Sequence, residues 1–442
     1  MLKTGFARID ITPPLGVNLA GYPTIRIADG ILDPLLATAV AFDDGEKKAV
    51  VISIDLLGLN MAFMKELRPM VADAIGTDAD AVFIACTHTH IGPDVAGKDF
   101  SNEEEVQGKE YAPWLMKRIC DVAFLAMQDL APSNLSYVHG TVKDVSFIRR
   151  FRMKDGSVCT NPGFQNPDID HALCTPDEES SLLIIKREDK PEIGIVNFQV
   201  HPDVIAGTKI SADYPKFVRD TYEALIPNSR CMYLNGAQGD SNHIDVRLNP
   251  ETECAGGYVR SRYMGRKIAM SVVGNYELAK ELEGEKLNYS KKTISVKFNK
   301  GTSEEIPDAL ELASLYREKG YDGVLPGVGG MLKVTLVAKA NRIERLQSMP
   351  DTMDLTATAL SVGDMVFAGF PGEPFTDIGR EVKKNSRFTL TMPVCAANGY
   401  DGYYPMQSAF DEGGYEAATS RYVAGTAEKL IEASIEIINS MK

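Results

Sequence analysis

Two histidines form a short motif directly after an apolar segment. His88 and His90 stand in Thr-His-Thr-His at residues 87–90, and residues 81–86 before them predict a buried strand. Side chains two positions apart in extended chain project to the same side, so both imidazoles can face one cavity. Open α/β sheets place ligands at the carboxyl ends of their strands. One ring could therefore bind a metal while the other hydrogen-bonds substrate or metal-bound water; a structural pair is the alternative.

Two further strand ends carry side chains that can bind a metal. His201 follows a predicted buried strand at residues 193–200, and Glu373 stands in a Pro-Gly-Glu turn after a predicted strand at 365–370. Taken singly, a histidine is more often a core residue, and a glutamate there can be a first-turn carboxylate favoured by the helix dipole. Their recurrence at strand ends favours a metal, because imidazole plus carboxylate is a usual catalytic zinc set.

The elements that must position these residues alternate between strand and helix. This order predicts an α/β protein, with an excursion from the core within residues 286–350. Predicted strands lie at 39–42, 48–54, 81–86, 137–147, 181–185, 193–200, 231–234, 286–300, 356–361, 365–370 and 391–397, and predicted helices at 61–75, about 104–129, 214–225, 260–282 and 415–441.

Composition excludes several function classes. The 442 residues carry a formal charge of −14, which gives no electrostatic attraction to nucleic acid or to anionic lipid. The partner we expect is therefore a small-molecule substrate, with no stable membrane association. Seven cysteines without a Cys-x-x-Cys pair, and no visible secretory signal, predict reduced thiols and a cytoplasmic location.

Residues 148–176 predict a hairpin and a long loop that carry a cluster of arginines, Arg149, Arg150 and Arg152. Guanidinium groups pair with carboxylates and phosphates, so the cluster predicts a substrate-binding role toward a polar or anionic molecule. A solvated hairpin edge is the alternative. His139 and His171 are predicted to be structural.

Several motifs, in order along the chain, resemble those of the neutral, non-lysosomal ceramidase family. They are residues 7–14, 19–22, 87–93, 197–202, 235–240, 371–373 and 398–403. The resemblance implies one large mixed-sheet α/β catalytic domain with flanking helices spanning residues 1–442, without the C-terminal β-sandwich that the lipid enzymes carry.

The resemblance also implies a zinc-dependent amide hydrolase. Its metal ligands correspond to His88, His201, Glu373 and Tyr403, and His90 would lie beside the scissile group. Zinc there would polarise the carbonyl and lower the pKa of bound water toward ~7. His90, together with Tyr400, would stabilise the oxyanion.

The chain departs from the family pattern at the family's serine. Ser241 stands one place early and Asn242 occupies the serine position, so we expect Ser241 not to be the nucleophile. Asp213, Asp240 and His243 would orient the ligands, or alternatively serve as turn and capping residues. An ester or cyclic-amide hydrolase, or a metal-containing binding protein without turnover, remain alternatives, and we expect ceramide not to be the physiological substrate.

Overall fold

The computed structural model describes residues 1–22, 24–95 and 106–442, with the backbone alone for residues 106–109. Two mixed β-sheets pack face to face, and helices cover the outer face of each. The larger sheet has nine strands. In spatial order eight of them are Ser229–Asn235, Glu192–Phe198, Glu179–Arg187, Ala131–Thr141, Lys3–Asp10, Leu36–Asp43, Lys48–Ile54 and Val82–Cys86, and Lys280–Glu281 pairs with the fourth.

The second sheet has four strands and lies against the inner face of the first. Its first three strands are antiparallel and its last pair is parallel. In spatial order they are Leu287–Lys297, Thr352–Val362, Met365–Gly369 and Leu390–Val394.

Successive side chains of each strand point to opposite faces of the large sheet, so one strand contributes to the core on both sides. Val50 and Ile52 pack with Met64 and Leu115 of the covering helices, whereas Val51 packs with Phe367 of the second sheet. The helices of the described residues are Met61–Ile75, Val106–Gln128, Tyr214–Leu225, Gly257–Val273, Glu305–Lys319, Gly330–Gln347, Thr376–Asn385, Gln407–Glu412, Tyr415–Thr419 and Thr426–Ser440, with 3₁₀ turns at Ala79–Ala81 and Tyr276–Leu278.

Short ladders surround the ends of the long strands. Three strands form a small sheet within the predicted hairpin and loop, in the order Ile169–Ala172, Arg150–Met153 and Val158–Thr160. Three further ladders have two residues on each side. They join Gly30–Ile31 to Lys209–Ile210, Phe147–Ile148 to Ser241–Asn242, and Glu373–Pro374 to Tyr403–Tyr404.

Some predicted elements differ from those observed. Residues 415–441 form two helices rather than one, because the chain leaves helical geometry at Ser420 and turns again at Gly425, whose φ is 85°. The strand predicted at 286–300 is observed as Leu287–Lys297 in the second sheet, and beyond it the helices Glu305–Lys319 and Gly330–Gln347 pack against each other. The predicted start of a helix near residue 104 lies outside the described residues.

No helix in the described ranges is long and apolar enough to cross a membrane.

Candidate metal centre

His88 is held by the turn that follows the strand Val82–Cys86. Its backbone adopts a φ of 75°, a conformation that non-glycine residues rarely take and that occurs often at functional sites. Its Nδ1 lies 2.7 Å from the carbonyl oxygen of Leu57. Because a carbonyl only accepts, Nδ1 carries the proton, and the Nε2 lone pair is left for another partner.

His201 has the same arrangement after another strand of the large sheet. The residue is fully buried after Glu192–Phe198, and its Nδ1 lies 3.2 Å from the carbonyl oxygen of Gln238. Its Nε2 is buried and faces the carboxylate of Glu373. Both imidazoles are therefore in the tautomer that presents Nε2 as a ligand atom.

Glu373 completes a set of three converging ligand atoms. Its Oε2 lies 3.4 Å from Nε2 of His88 and 3.2 Å from Nε2 of His201. Bonds of 2.0–2.1 Å to a tetrahedral zinc ion place neighbouring ligand atoms roughly 3.3 Å apart, so both distances match the spacing of ligands around one ion.

The charge states of these side chains also suit a metal. Burial lowers the pKa of His201, and the nearby guanidinium of Arg149 acts in the same direction. Burial alone would raise the pKa of the Glu373 carboxyl, but His88 and His201 hold it well below its usual range. Neutral imidazole and ionised carboxylate are the forms that bind zinc.

His90 lies beside this set. Its ring centroid is 5.1 Å from that of His88 and 5.3 Å from that of His201, and the three imidazoles offer ligand atoms within 4.8 Å of one another. Neither ring nitrogen of His90 has a hydrogen-bond partner among the described residues. Burial, followed by the neighbouring His88 and His201, lowers its pKa well below the usual value. His90 is therefore a neutral imidazole at the metal set, available to substrate or metal.

Comparisons with known proteins identify this architecture. No family model matches the chain, and no curated protein does. Solved structures match over 100% of this chain. The crystal structure of neutral ceramidase from Pseudomonas aeruginosa has a TM-score of 0.73 and 17% identity, with 74% of that chain covered. A ceramidase complexed with C2 has a TM-score of 0.71 and 17% identity, with 75% covered. The chain has the neutral ceramidase fold. The predicted fold class is confirmed.

In this neutral ceramidase fold, Tyr400 and Tyr403 approach the set from one turn. The hydroxyl of Tyr400 donates to Oε1 of Glu373 at 2.6 Å, and burial together with Glu373 raises its pKa well above the usual range. Its proton therefore fixes the carboxylate, rather than being free for an oxyanion. The ring of Tyr403 is stacked 6.5 Å from that of His201, and its backbone pairs in register with Glu373.

The predicted arginine cluster is paired with carboxylates inside the protein. Nε of Arg149 lies 2.7 Å from Glu416, and Arg150 lies 3.1 Å from Glu412 and 3.8 Å from Glu416. Arg149, Arg150 and Glu416 are buried. Each of the two buried guanidinium groups therefore has a carboxylate partner within the protein.

Arg149 nevertheless borders the metal set. Its Nη2 donates to the carbonyl of Gly239 at 2.9 Å, and its guanidinium carbon lies 5.4 Å from the centre of the Tyr403 ring. Arg152 is less buried and lies 3.9 Å from Glu412. A substrate contact for any of the three remains a prediction.

The residues predicted to orient the ligands contact the segments that carry them. Asp240 accepts from the amide and hydroxyl of Thr376, at 2.8 and 2.7 Å, where the helix after Glu373 begins. Asp213 accepts from the amides of Val204 and Ile205 after His201, at 2.9 and 3.1 Å. His243 lies further out, with Nδ1 3.1 Å from Asp203.

Ser241 and Asn242 each have a hydrogen-bond partner other than a histidine among the described residues. The hydroxyl of Ser241 lies 3.4 Å from the carbonyl of Gln238, and no histidine nitrogen is among its hydrogen-bond partners. Asn242 donates to the side chain of Asn161 at 2.8 Å. Leu57 and Gln238, which have no predicted role, contact the ligand histidines through their backbone carbonyls. Such contacts leave no signal in side-chain identity.

Proposed function

We propose that the protein is a zinc-dependent hydrolase that cleaves an amide bond of a small substrate. The observation that supports this most strongly is the convergence of Nε2 of His88, Nε2 of His201 and Oε2 of Glu373 at zinc-ligand spacing. Tyr403 is the proposed fourth protein ligand, because it is paired in register with Glu373. The two ceramidase structures with this fold agree with amide hydrolysis.

Zinc bound here would supply Lewis-acid polarisation of a carbonyl group and lower the pKa of a bound water toward ~7. The chain supplies the remaining functions. Neutral His90 has a ring N–H that can donate to the oxygen on which negative charge develops. Tyr400 holds the Glu373 carboxylate in one orientation, and the carbonyls of Leu57 and Gln238 hold the two ligand histidines.

An ester is a second candidate substrate for the same site. His90 and the proposed ligands act on a carbonyl group, which amides, cyclic amides and esters share. Nothing in the contacts of Asn242, which faces Asn161, adds a group that would select between them. A binding protein without turnover is the remaining alternative, and activity measurements separate it from the hydrolases.

The test is hydrolysis of matched N-acyl amide and O-acyl ester probes by the zinc-loaded protein. His88→Ala is the blank, and His171→Ala, whose side chain is exposed, is the matched control. We expect amide cleavage by the parent and by His171→Ala, and none by His88→Ala. Cleavage of esters alone would favour the second candidate. Stoichiometric zinc without cleavage of either probe would support the binding protein.

A further inference from the structure

His90 differs from the other two histidines in the way it is held. The Nδ1 atoms of His88 and His201 each face a backbone carbonyl, whereas both ring nitrogens of His90 lack hydrogen-bond partners among the described residues. A side chain that must stay within about 0.5 Å of a productive position needs some other restraint. Gly21, Tyr22 and Arg26 provide contacts of that kind.

Gly21 lies against the imidazole. A Cβ atom at Gly21 would be 2.4 Å from Nδ1 of His90 and 2.7 Å from Cγ, far inside van der Waals contact. The backbone of Gly21 has a φ of 96°, a conformation that favours glycine. This position therefore lets the main chain close over one side of the ring, and any other residue would push the ring away.

Tyr22 covers a second side. Its ring meets that of His90 edge to face, with centroids 5.5 Å apart and an interplanar angle of 81°. This is the arrangement that aromatic quadrupoles favour, and it uses no hydrogen bond. The His90 nitrogens thus remain free of Tyr22 while the orientation of the imidazole is restricted.

Arg26 ties these residues to the backbone of His90. Its guanidinium lies 4.2 Å from the centre of the Tyr22 ring. Nη2 donates to the carbonyls of Ala20 and His90, the latter at 2.6 Å, and Nη1 donates to Gly207 at 3.1 Å. In the described residues no carboxylate pairs with this arginine, so its bonds go to the backbone of the loops around His90.

We infer that Gly21, Tyr22 and Arg26 are positioning residues that fix the His90 imidazole by shape and leave its nitrogens for the substrate. This inference rests on the proposed function for the role of His90, but the positioning is a property of the chain itself. None of the three residues is among the proposed zinc ligands. Changing them should therefore affect turnover without removing the metal.

The decisive variant is Gly21→Ala in the zinc-loaded protein, compared with Gly45→Ala. Gly45 has a φ of 89° and no atom within 4 Å of an added Cβ, so this control introduces similar backbone strain without a clash. Each variant is measured for zinc content, for kcat on an N-acyl aminocoumarin amide, and for the position of His90 in a crystal structure. Tyr22→Phe, which keeps the ring, is compared with Tyr22→Ala.

We expect Gly21→Ala to keep one zinc, displace the His90 ring, and lower kcat by about 100-fold, the cost of a shift of roughly 1 Å. Gly45→Ala and Tyr22→Phe should match the parent, and Tyr22→Ala should lower kcat. An undisplaced ring, an unchanged kcat or loss of zinc in Gly21→Ala would overturn the inference. If Gly21→Ala does not fold, the same readouts on Tyr22→Ala decide it.

If the proposed function is wrong, these experiments give a result that differs from failure of the positioning inference. A zinc-loaded parent that cleaves no amide or ester would overturn that function, while the position of the His90 ring in Gly21→Ala would still test the positioning.

Discussion

Glu373 and Tyr403 pair in register across a two-residue parallel ladder. The amide of Glu373 donates to the carbonyl of Gly402 at 2.8 Å, so the Pro-Gly-Glu turn and the tyrosine turn form one hydrogen-bonded unit. A main-chain link between two proposed ligands fixes their separation more tightly than flexible side chains could. The position of Tyr403 is therefore coupled to that of Glu373.

This coupling predicts that the Tyr403 hydroxyl contributes to metal binding. Tyr403→Phe keeps the ring and the ladder but removes the oxygen, so zinc affinity should fall by at least about tenfold. The adjacent Tyr404→Phe is the control, because the Tyr404 hydroxyl donates to the carbonyl of Pro371 instead. Competition with a zinc-binding dye measures both affinities. Equal affinities in the two variants would remove Tyr403 from the ligand set.

The pH dependence of metal binding follows from the buried histidines. Burial lowers the pKa of His201 below its usual 6.5, so this imidazole stays neutral as the pH falls through that value. Zinc should remain bound at pH 6.5 and dissociate only at lower pH, where protons compete for the ligand atom. Zinc content measured after dialysis across a pH series tests this. Release with a midpoint at or above pH 6.5 would contradict it.

Ser241→Ala should leave turnover nearly unchanged. The hydroxyl has a long contact to the carbonyl of Gln238, and no histidine in the described part of the chain hydrogen-bonds to it. The variant should unfold with a free energy within about 1 kcal/mol of the parent, the usual net worth of a hydrogen bond. Steady-state kinetics with intact-mass spectrometry is the measurement. Loss of activity with zinc retained, or an acyl adduct on Ser241, would show that the serine is the nucleophile.

A buried ion pair supports the strand ends that carry the metal set. Arg219, in the helix Tyr214–Leu225, donates to both carboxylate oxygens of Asp55 at 2.8 and 2.7 Å, and both side chains are almost fully buried. Arg219→Ala leaves an unpaired buried carboxylate and should lower the free energy of unfolding by about 3–5 kcal/mol.

The control for this change lies on the same helix. Lys216 pairs with Asp220, whose side chain is about half exposed, and Lys216→Ala should cost less than about 1 kcal/mol. Urea unfolding of both variants gives the comparison. Equal effects would mean that Arg219 contributes no more than a surface pair.

The parts of the fold that could be predicted depend on local sequence. The helix Met61–Ile75 has its predicted bounds, and in the structure the Asn60 side chain caps its start and Gly76 ends it in the left-handed conformation. His88 and His201 could be placed at the site because each directly follows an apolar strand, and strand direction determines where a strand's end points.

The parts of the fold and of the site that could not be predicted depend on contacts between segments that are far apart in the sequence. The pairing of Arg149 with Glu416 joins a hairpin to a helix near the end of the chain, and neither segment indicates the other. The packing of the second sheet on the first depends on which faces meet, which the alternation of apolar residues does not specify. The contacts of Gly21 with His90 likewise arise only when two loops come together.

The central claim is that His88, His201 and Glu373 together hold one zinc ion. An anomalous difference map at the zinc edge, from crystals of protein purified with zinc, tests it directly. We predict one strong peak within ~2.0–2.3 Å of Nε2 of His88, Nε2 of His201 and the Glu373 carboxylate. A map with no peak among these atoms, or with its strongest peak elsewhere in the protein, would contradict the account.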